Sequence, residues 1–242
     1  MMDISEEIAL TLKSLKNNGF DPLLAQTSIE AKEIMLEMIP RNALVGVADS
    51  VTLMQIGVLE ALAQRGNEVL NPFVPEMTMG MRNDPAKRRK FISMTRKVFG
   101  SDVFVTGSNT LTMDGNIVNI DRNGNRVAGI IYGAPKVILA IGRNKIVKDV
   151  NAAIDRIKNV LAPAHAKQKG YKTPCAEKGK CFDCNSQDRL CNITVILEKK
   201  PVNTDLSIVL INEDLGLGWD PEWDEARIAK ITDNYHKYSW PF

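Results

Sequence analysis

Hydrophobic and polar positions change period along this chain, and the changes mark its elements. Asp3-Ile4-Ser5-Glu6 has the pattern of a capping box, in which a short polar side chain and a glutamate satisfy each other's orphan N–H groups. It predicts a helix to about Asn18, with Gly19 as the stop. Thr27-Ser28-Ile29-Glu30 repeats the pattern and predicts a helix to about Met38. Ala43 to Ala48 is a short apolar run with valines, which reads as a strand buried on both faces. Asp49 or Ser50 then caps a helix whose Leu53, Ile56, Leu59 and Leu62 keep helical spacing until Gly66. Glu68 to Leu70 is a brief strand, and Asp84-Pro85 opens a helix to about Phe99 as N-cap plus first-turn proline. Asp102 to Thr106 is a further buried strand. Asn116 to Asp121 alternates polar and apolar, Asn123-Gly124 is a hairpin signal, and Arg126 to Tyr132 is read as the returning strand. Lys136 to Ile141 is strand-like, and Val147 to Leu161 is a helix with Val150, Ile154, Ile157 and Leu161 on one stripe. Ile193–Leu197 and Leu206–Ile211 are the last strand candidates. Strands alternating with helices predict an α/β fold with a mostly parallel sheet, to which the hairpin adds an antiparallel element.

Composition changes this picture little. Hydrophobic residues make up 44% and charged residues 25% of the 242, as in ordinary globular proteins. The length fits a single domain over 1–242 with an appendage. A net charge of +2 gives no argument for nucleic acid. The densest basic run, Lys87-Arg88-Arg89-Lys90 with Arg96 and Lys97, lies on a predicted helix and reads as its solvated face. No apolar run is long enough for a membrane span. The opening Met1-Met2-Asp3-Ile4-Ser5-Glu6-Glu7 shows no apolar signal region, so the expected location is the cytoplasm.

The cysteines change it a great deal. All four, Cys175, Cys181, Cys184 and Cys191, fall in one segment, 173–192, spaced C-x5-C-x2-C-x6-C with turn formers between. Four thiolates on one loop are stable together when a cation holds them, so the segment is read as a metal loop for zinc or an iron–sulfur cluster. Two local disulfides are the competing reading and need an oxidising compartment. The single CxxC, Cys181/Cys184, matches neither a two-knuckle zinc ribbon nor the bacterial ferredoxin run, so the spacing does not choose the metal. His165, ten residues upstream, is either a further ligand or a solvated residue at a helix end.

In open α/β sheets, ligands bind at strand-to-helix turns. Two turns are candidates. The first offers Gly46, Asp49, Ser50 and Thr52, where helix N–H groups and hydroxyls favour an anion, Asp49 opposes one, and plain capping is the alternative. The second offers Thr106, Gly107, Ser108 and Asn109, followed by Asp114, Gly115 and Asn119, a small polar stretch able to bring backbone close to a ligand. Asp114 is a candidate general base if burial raises its pKa, with a turn-forming role as the alternative. Lys145 is a candidate acid or carboxylate anchor, and Arg126 offers bidentate recognition of a carboxylate. Asp121 is a further carboxylate nearby. The expected ligand is a small anionic metabolite. Trp219, Trp223 and Trp240-Pro241-Phe242 are either packed on their own domain or the anchors of a homodimer contact.

The run from Thr106 to Gly129, then Gly133-Ala-Pro-Lys136 and Gly142-Arg-Asn-Lys-Ile-Val147, resembles the LUD-domain family, of the lactate utilization protein C type. The tail Thr173-Pro-Cys to Leu-Cys-Asn192 is similar to a subgroup with a C-terminal four-cysteine segment, and the Val45–Gly57 turn and Asn71-Pro-Phe73 fit it too. The resemblance covers roughly residues 5–215. It implies a three-layer α/β/α fold similar to the NagB/RpiA/CoA-transferase-like fold, in which strand-to-helix turns hold phosphates or carboxylates. It implies a link to lactate, or 2-hydroxy acid, utilization beside iron–sulfur partner proteins, either as a metabolite-binding protein or as a metal-bearing accessory or assembly subunit. Val47-Ala48-Asp49-Ser50 departs from the family's glycine- and serine-rich turn, and no glutamate stands where CoA transferases carry their nucleophile.

Overall fold

The computed structural model describes residues 4–242, so the Asp3 cap lies outside the described residues. Among the described residues, ten strands occur: β1 (Asp21–Ala25), β2 (Val45–Val47), β3 (Val69–Leu70), β4 (Val103–Thr106), β5 (Thr110–Thr112), β6 (Ile117–Asp121), β7 (Lys136–Gly142), β8 (Ile146–Val147), β9 (Ile193–Leu197) and β10 (Asp205–Ile211). The α-helices are α1 (Ile4–Asn17), α2 (Ser28–Met38), α3 (Val51–Gln55), α4 (Val58–Gln64), α5 (Pro75–Thr78), α6 (Pro85–Lys97), α7 (Asn125–Tyr132), α8 (Val150–Arg156), α9 (Ala162–Gln168), α10 (Pro174–Lys178) and α11 (Glu225–His236).

Six strands form one parallel sheet in the order β1-β10-β7-β4-β2-β3. Side chains of a strand point alternately to its two faces, and here the two faces feed separate cores. Phe104, Val137, Leu139, Ile141, Leu206, Ile208 and Leu210 join Ile8 and Leu15 of α1. Val103, Val105, Ile138, Ala140, Val209 and Ile211 join Ala31 and Met35 of α2 and Leu53, Leu59 and Leu62 of α3 and α4. With helices on both faces, the architecture is a three-layer α/β/α, as the element alternation predicts.

A second sheet, β8-β5-β6-β9, is mixed. Its Leu111, Ile117 and Ile146 pack into the first core. Its Val118, Ile120 and Val147 face a third core with Ile157, Val160, Leu161, Leu217 and Tyr235.

Local chemistry explains most boundaries. Thr27 accepts from the Glu30 N–H at 3.2 Å, but the Glu30 carboxylate turns back to the Gln26 N–H rather than that of Thr27. Asp84 caps α6 through the Ala86 and Lys87 N–H groups. Only Phe91 of α6 is buried, so its basic run is a solvated face. The helix expected from Ser50 to Gly66 breaks in two at Gly57, whose φ is +68°.

The predicted hairpin at Asn123-Gly124 is corrected: residues 125–132 are the helix α7. Gly124, with φ +80°, is its N-cap, and the Asp121 carboxylate accepts from the Val127 N–H at 3.2 Å. Val127, Ile130 and Ala134 share helical spacing, and Gly129 meets the Phe104 ring so closely that a Cβ there would stand 2.4 Å from it. The antiparallel hairpin lies one turn earlier, where β5 and β6 join through Asp114-Gly115 and Thr110 pairs with Val118. The predicted Val147–Leu161 helix starts at Val150, under an Asp149 cap, and runs on to Gln168. A π-helical turn over Ile157–Leu161 carries it across Pro163, where an ordinary turn would lack an N–H.

Among the described residues, no helix is long and apolar enough to cross a membrane.

Candidate functional site

The two turns chosen from sequence meet at the end of the parallel sheet, around a cavity of ≈ 210 Å³. Asp49 and Ser50 come from the end of β2, and Gly107, Ser108 and Asn109 from the end of β4. Gly107 is required there, since a Cβ would stand 2.8 Å from the Ser50 hydroxyl. The Asn109 side chain accepts from the Ile120 N–H at 2.8 Å and from Arg126 Nη2 at 2.8 Å, while Asn119 Oδ1 accepts from the Asn109 N–H at 3.0 Å. The turn is thus clamped to β6. The polar positions of β6 that alternate with its valine and isoleucines are buried, and Asn119 and Asp121 spend that burial on this clamp.

Charge in the cavity is mostly paired. Arg126 donates to Asp121 at 2.9 Å through Nε and at 2.6 Å through Nη2, which leaves Nη1 outside these bonds. Asp49 lies 3.9 Å from the buried Lys169 ammonium. Lys145 is the exception. It is 6% exposed, and its Nζ donates to the Ser108 carbonyl at 3.1 Å and Thr52 Oγ1 at 3.3 Å. Among the described residues, no carboxylate lies within ion-pair distance of it. Burial first, and then the Arg126 charge, lower its pKa to about 7. The buried Ser50 hydroxyl, in the same wall, has no hydrogen-bond partner. Desolvated cations and hydroxyls without partners are costly unless something fills the role.

The other half of the wall is apolar. Ile157, Leu161 and Ala162, exposed to the cavity by the π-helical turn, join Leu217 and the rings of Phe73, Tyr171, Tyr235 and Phe242. His165 lies among them, half-buried, with Nδ1 2.7 Å from the Tyr235 hydroxyl. Burial, then the Lys169 charge, push its pKa down to about 4, so it is neutral at pH 7. The histidine is thus a cavity residue on the inner side of α9, not a solvated one at a helix end. Such a site can hold an anionic head through Lys145, Ser50 and Arg126.

The remaining sequence candidates fall elsewhere. Thr52 supports Lys145 from behind the wall. Gly46 lets β2 pack on Ser101 and Val98, Thr106 is buried in β4, and Gly115 fits against α1 at Ser14 and Leu15. Asp114 closes the β5–β6 turn, bonded to Thr112 Oγ1 and, at 2.9 Å, to Asn116 Nδ2, and it is not among the lining residues. Sequence reading passed over Lys169, Tyr171 and Tyr235, which carry no motif. The one available signal was the stripe of Ile157 and Leu161, which continues to His165.

The cysteine segment borders this cavity: Leu190 and Cys191 line it. Polar contacts pin the segment. Asp188 lies 3.6 Å from Arg82 and 3.5 Å from Arg122, and both guanidiniums stack on Tyr171, at 3.9 and 4.7 Å. Arg189 ties the inside of the loop, reaching Asp183 and the carbonyls of Cys184 and Cys191. No disulfide joins the four half-buried thiols. Burial, then the charges of Cys181 and Cys175, raise the Cys191 pKa to about 11. The donors are right for a soft metal. Among the described residues, no three His, Cys, Asp or Glu side chains are grouped closely enough to hold one ion.

The C-terminal aromatics dock on their own domain. Trp240 Nε1 donates to Thr78 Oγ1 at 2.7 Å, Arg227 stacks on Trp223 at 3.6 Å, and Trp219 packs on the third core.

The chain is similar in structure to a DUF162 family protein from Deinococcus radiodurans, known from a crystal structure. The two are 10% identical, the match covers 87% of this chain and 99% of that one, and the TM-score is 0.47. No curated protein matches the chain. The LUD domain model matches residues 8–211, and the chain belongs to the LUD-domain family.

Proposed function

We propose that this protein binds a small anionic metabolite of lactate utilization, a 2-hydroxy or 2-oxo acid, in the cavity between the 49–50 and 107–109 turns. One observation carries the reading: Lys145 is a buried amine without a carboxylate partner, in the same wall as the unpartnered Ser50 hydroxyl. A ligand carboxylate supplies the missing counter-ion, and Arg126 Nη1 can add a second donor. Family membership supports the metabolic setting. In a thermal-shift series with L-lactate, pyruvate, CoA esters and sugar phosphates, one of the small acids should raise the melting temperature at millimolar concentration. Lys145→Met should abolish the shift. The same melting temperature with every ligand would refute the reading.

A second reading rests on the cysteine segment: an accessory or assembly subunit that holds zinc or an iron–sulfur cluster and docks with iron–sulfur partner proteins. The gathering of Cys175, Cys181, Cys184 and Cys191 in one segment supports it, since a metal is what makes four thiolates stable together. Binding would then require the loop to draw its thiols together. Metal and sulfide analysis after anaerobic purification tests this, and protein free of both would end it. The homodimer expectation is tested by sedimentation of the same sample.

A further inference from the structure

Lactate and pyruvate are small, and the cavity has room and apolar wall beyond what they need. Its ≈ 210 Å³ is room for roughly seven waters at about 30 Å³ each, more than a three-carbon acid displaces. Gly107 packs beside the Ser50 hydroxyl, with no room for a Cβ between them, and Ser108 bonds Lys145, so these polar groups share one wall. Gly216, φ +70°, leads from that wall to the apolar residues: a Cβ on it would stand 2.6 Å from Thr52 Oγ1 and 2.8 Å from Lys145 Nζ, and the next residue, Leu217, lines the cavity with Ile157 and Leu161.

The apolar wall is rich in rings, and the rings are held. Phe73 meets Phe91 edge-on at 5.4 Å, Tyr171 lies between Arg82 and Arg122, and Tyr235 is fixed by His165. Phe242 lies over the Lys169 ammonium at 4.1 Å. Aromatic walls held in place before binding favour a flat apolar group, because little side-chain freedom is lost when it enters. On the acidic side, Asp49 and Asp121 are answered by Lys169 and Arg126, which leaves Lys145 for a ligand carboxylate.

We infer that the ligand is an aryl-bearing 2-oxo or 2-hydroxy acid, its carboxylate on Lys145 and Ser50 and its ring among Phe73, Leu161, Leu217 and Phe242. This rests on the acid-binding reading above and narrows its substrate class.

Calorimetric titration of the full chain with pyruvate, L-lactate, 3-phenylpyruvate and L-3-phenyllactate tests it. An aryl acid should bind at least about tenfold tighter than its three-carbon counterpart, the gain expected from burying a ring. The oxo and hydroxy arms show which oxidation state is preferred. Phe242→Ala and Ala162→Leu, one opening and one filling the space beside the apolar wall, should each lower the ratio of aryl to three-carbon affinity several-fold. Equal affinity for pyruvate and phenylpyruvate, or a ratio unmoved in both variants, overturns the aryl assignment and leaves acid binding intact. No heat with any of the four acids overturns both.

Discussion

The parallel sheet and the cysteine segment are held by opposite means. In β4, β7 and β10, nearly every side chain is buried, and stability comes from apolar area removed from water on two faces. Segment 173–192 has no buried cysteine and keeps its place through Asp188, Arg189, Arg122 and the Tyr171 ring. Burial spreads stability over many small contacts, whereas a few ion pairs and ring contacts can be released singly. The cavity lies where the two regimes meet, with its polar turns on the sheet and Cys191 on the segment.

Four expectations press on that contrast. Phe104→Ala removes a side chain that is 1% exposed at the centre of the first core. It should cost about 3–5 kcal/mol in urea unfolding and leave thiol labelling of the native segment unchanged. Coupled loss of both would mean the two regions are one cooperative unit.

Lys145→Met should act in the other direction, stabilising the fold by about 2 kcal/mol at pH 7 as it removes an uncompensated buried ammonium. The sign follows from the lowered pKa. Between about 7 and 10.5 the unfolded chain holds a proton that the folded chain lacks, so stability rises with pH across that window. The advantage of the methionine should therefore shrink as pH rises toward 10.5. A destabilised variant at pH 7 would show that the amine is satisfied in the fold.

The same group sets the pH dependence of binding. If a carboxylate needs the protonated amine, its affinity should fall as pH rises through about 7, approaching tenfold per unit above it. Titrations between pH 6 and 9 would expose a flat profile, which would take Lys145 out of the anion site.

The smallest effect on stability belongs to the segment. Asp188→Asn should lower global stability by about 1 kcal/mol or less, since its partners are partly exposed. It should speed alkylation of Cys191, whose thiol is held up at about 11. An unchanged labelling rate would mean that Asp188 does not pin the segment.

The strands of the central sheet were legible because apolar runs such as 136–141 leave a fully buried strand few alternatives. The exceptions have reasons. β1 begins Asp21-Pro22 and shows no alternation, and it is an edge strand, where a missing N–H is tolerated. The 125–132 segment reads as a strand after Asn-Gly, but Asp121 capping and Gly129 against Phe104 make it a helix. At the site, both turns and Lys145 were visible as small polar residues and a cation after strands. Asp114 was chosen for the same polarity and serves a turn instead. His165, Tyr171 and Tyr235 were not legible, because nothing local marks a residue that matters only through what faces it.

By itself, the sequence determined the α/β alternation, the polar turns at the strand ends, the family and the gathering of four thiols in one loop. All of these follow from local spacing and residue type. Only the tertiary structure decided that Lys145 is buried without a counter-ion, that a π-helical turn aims Ile157, Leu161 and His165 into the cavity, and that Cys191 stands in its wall. Desolvation and charge pairing arise from groups far apart in the chain, and the fold alone brings them together.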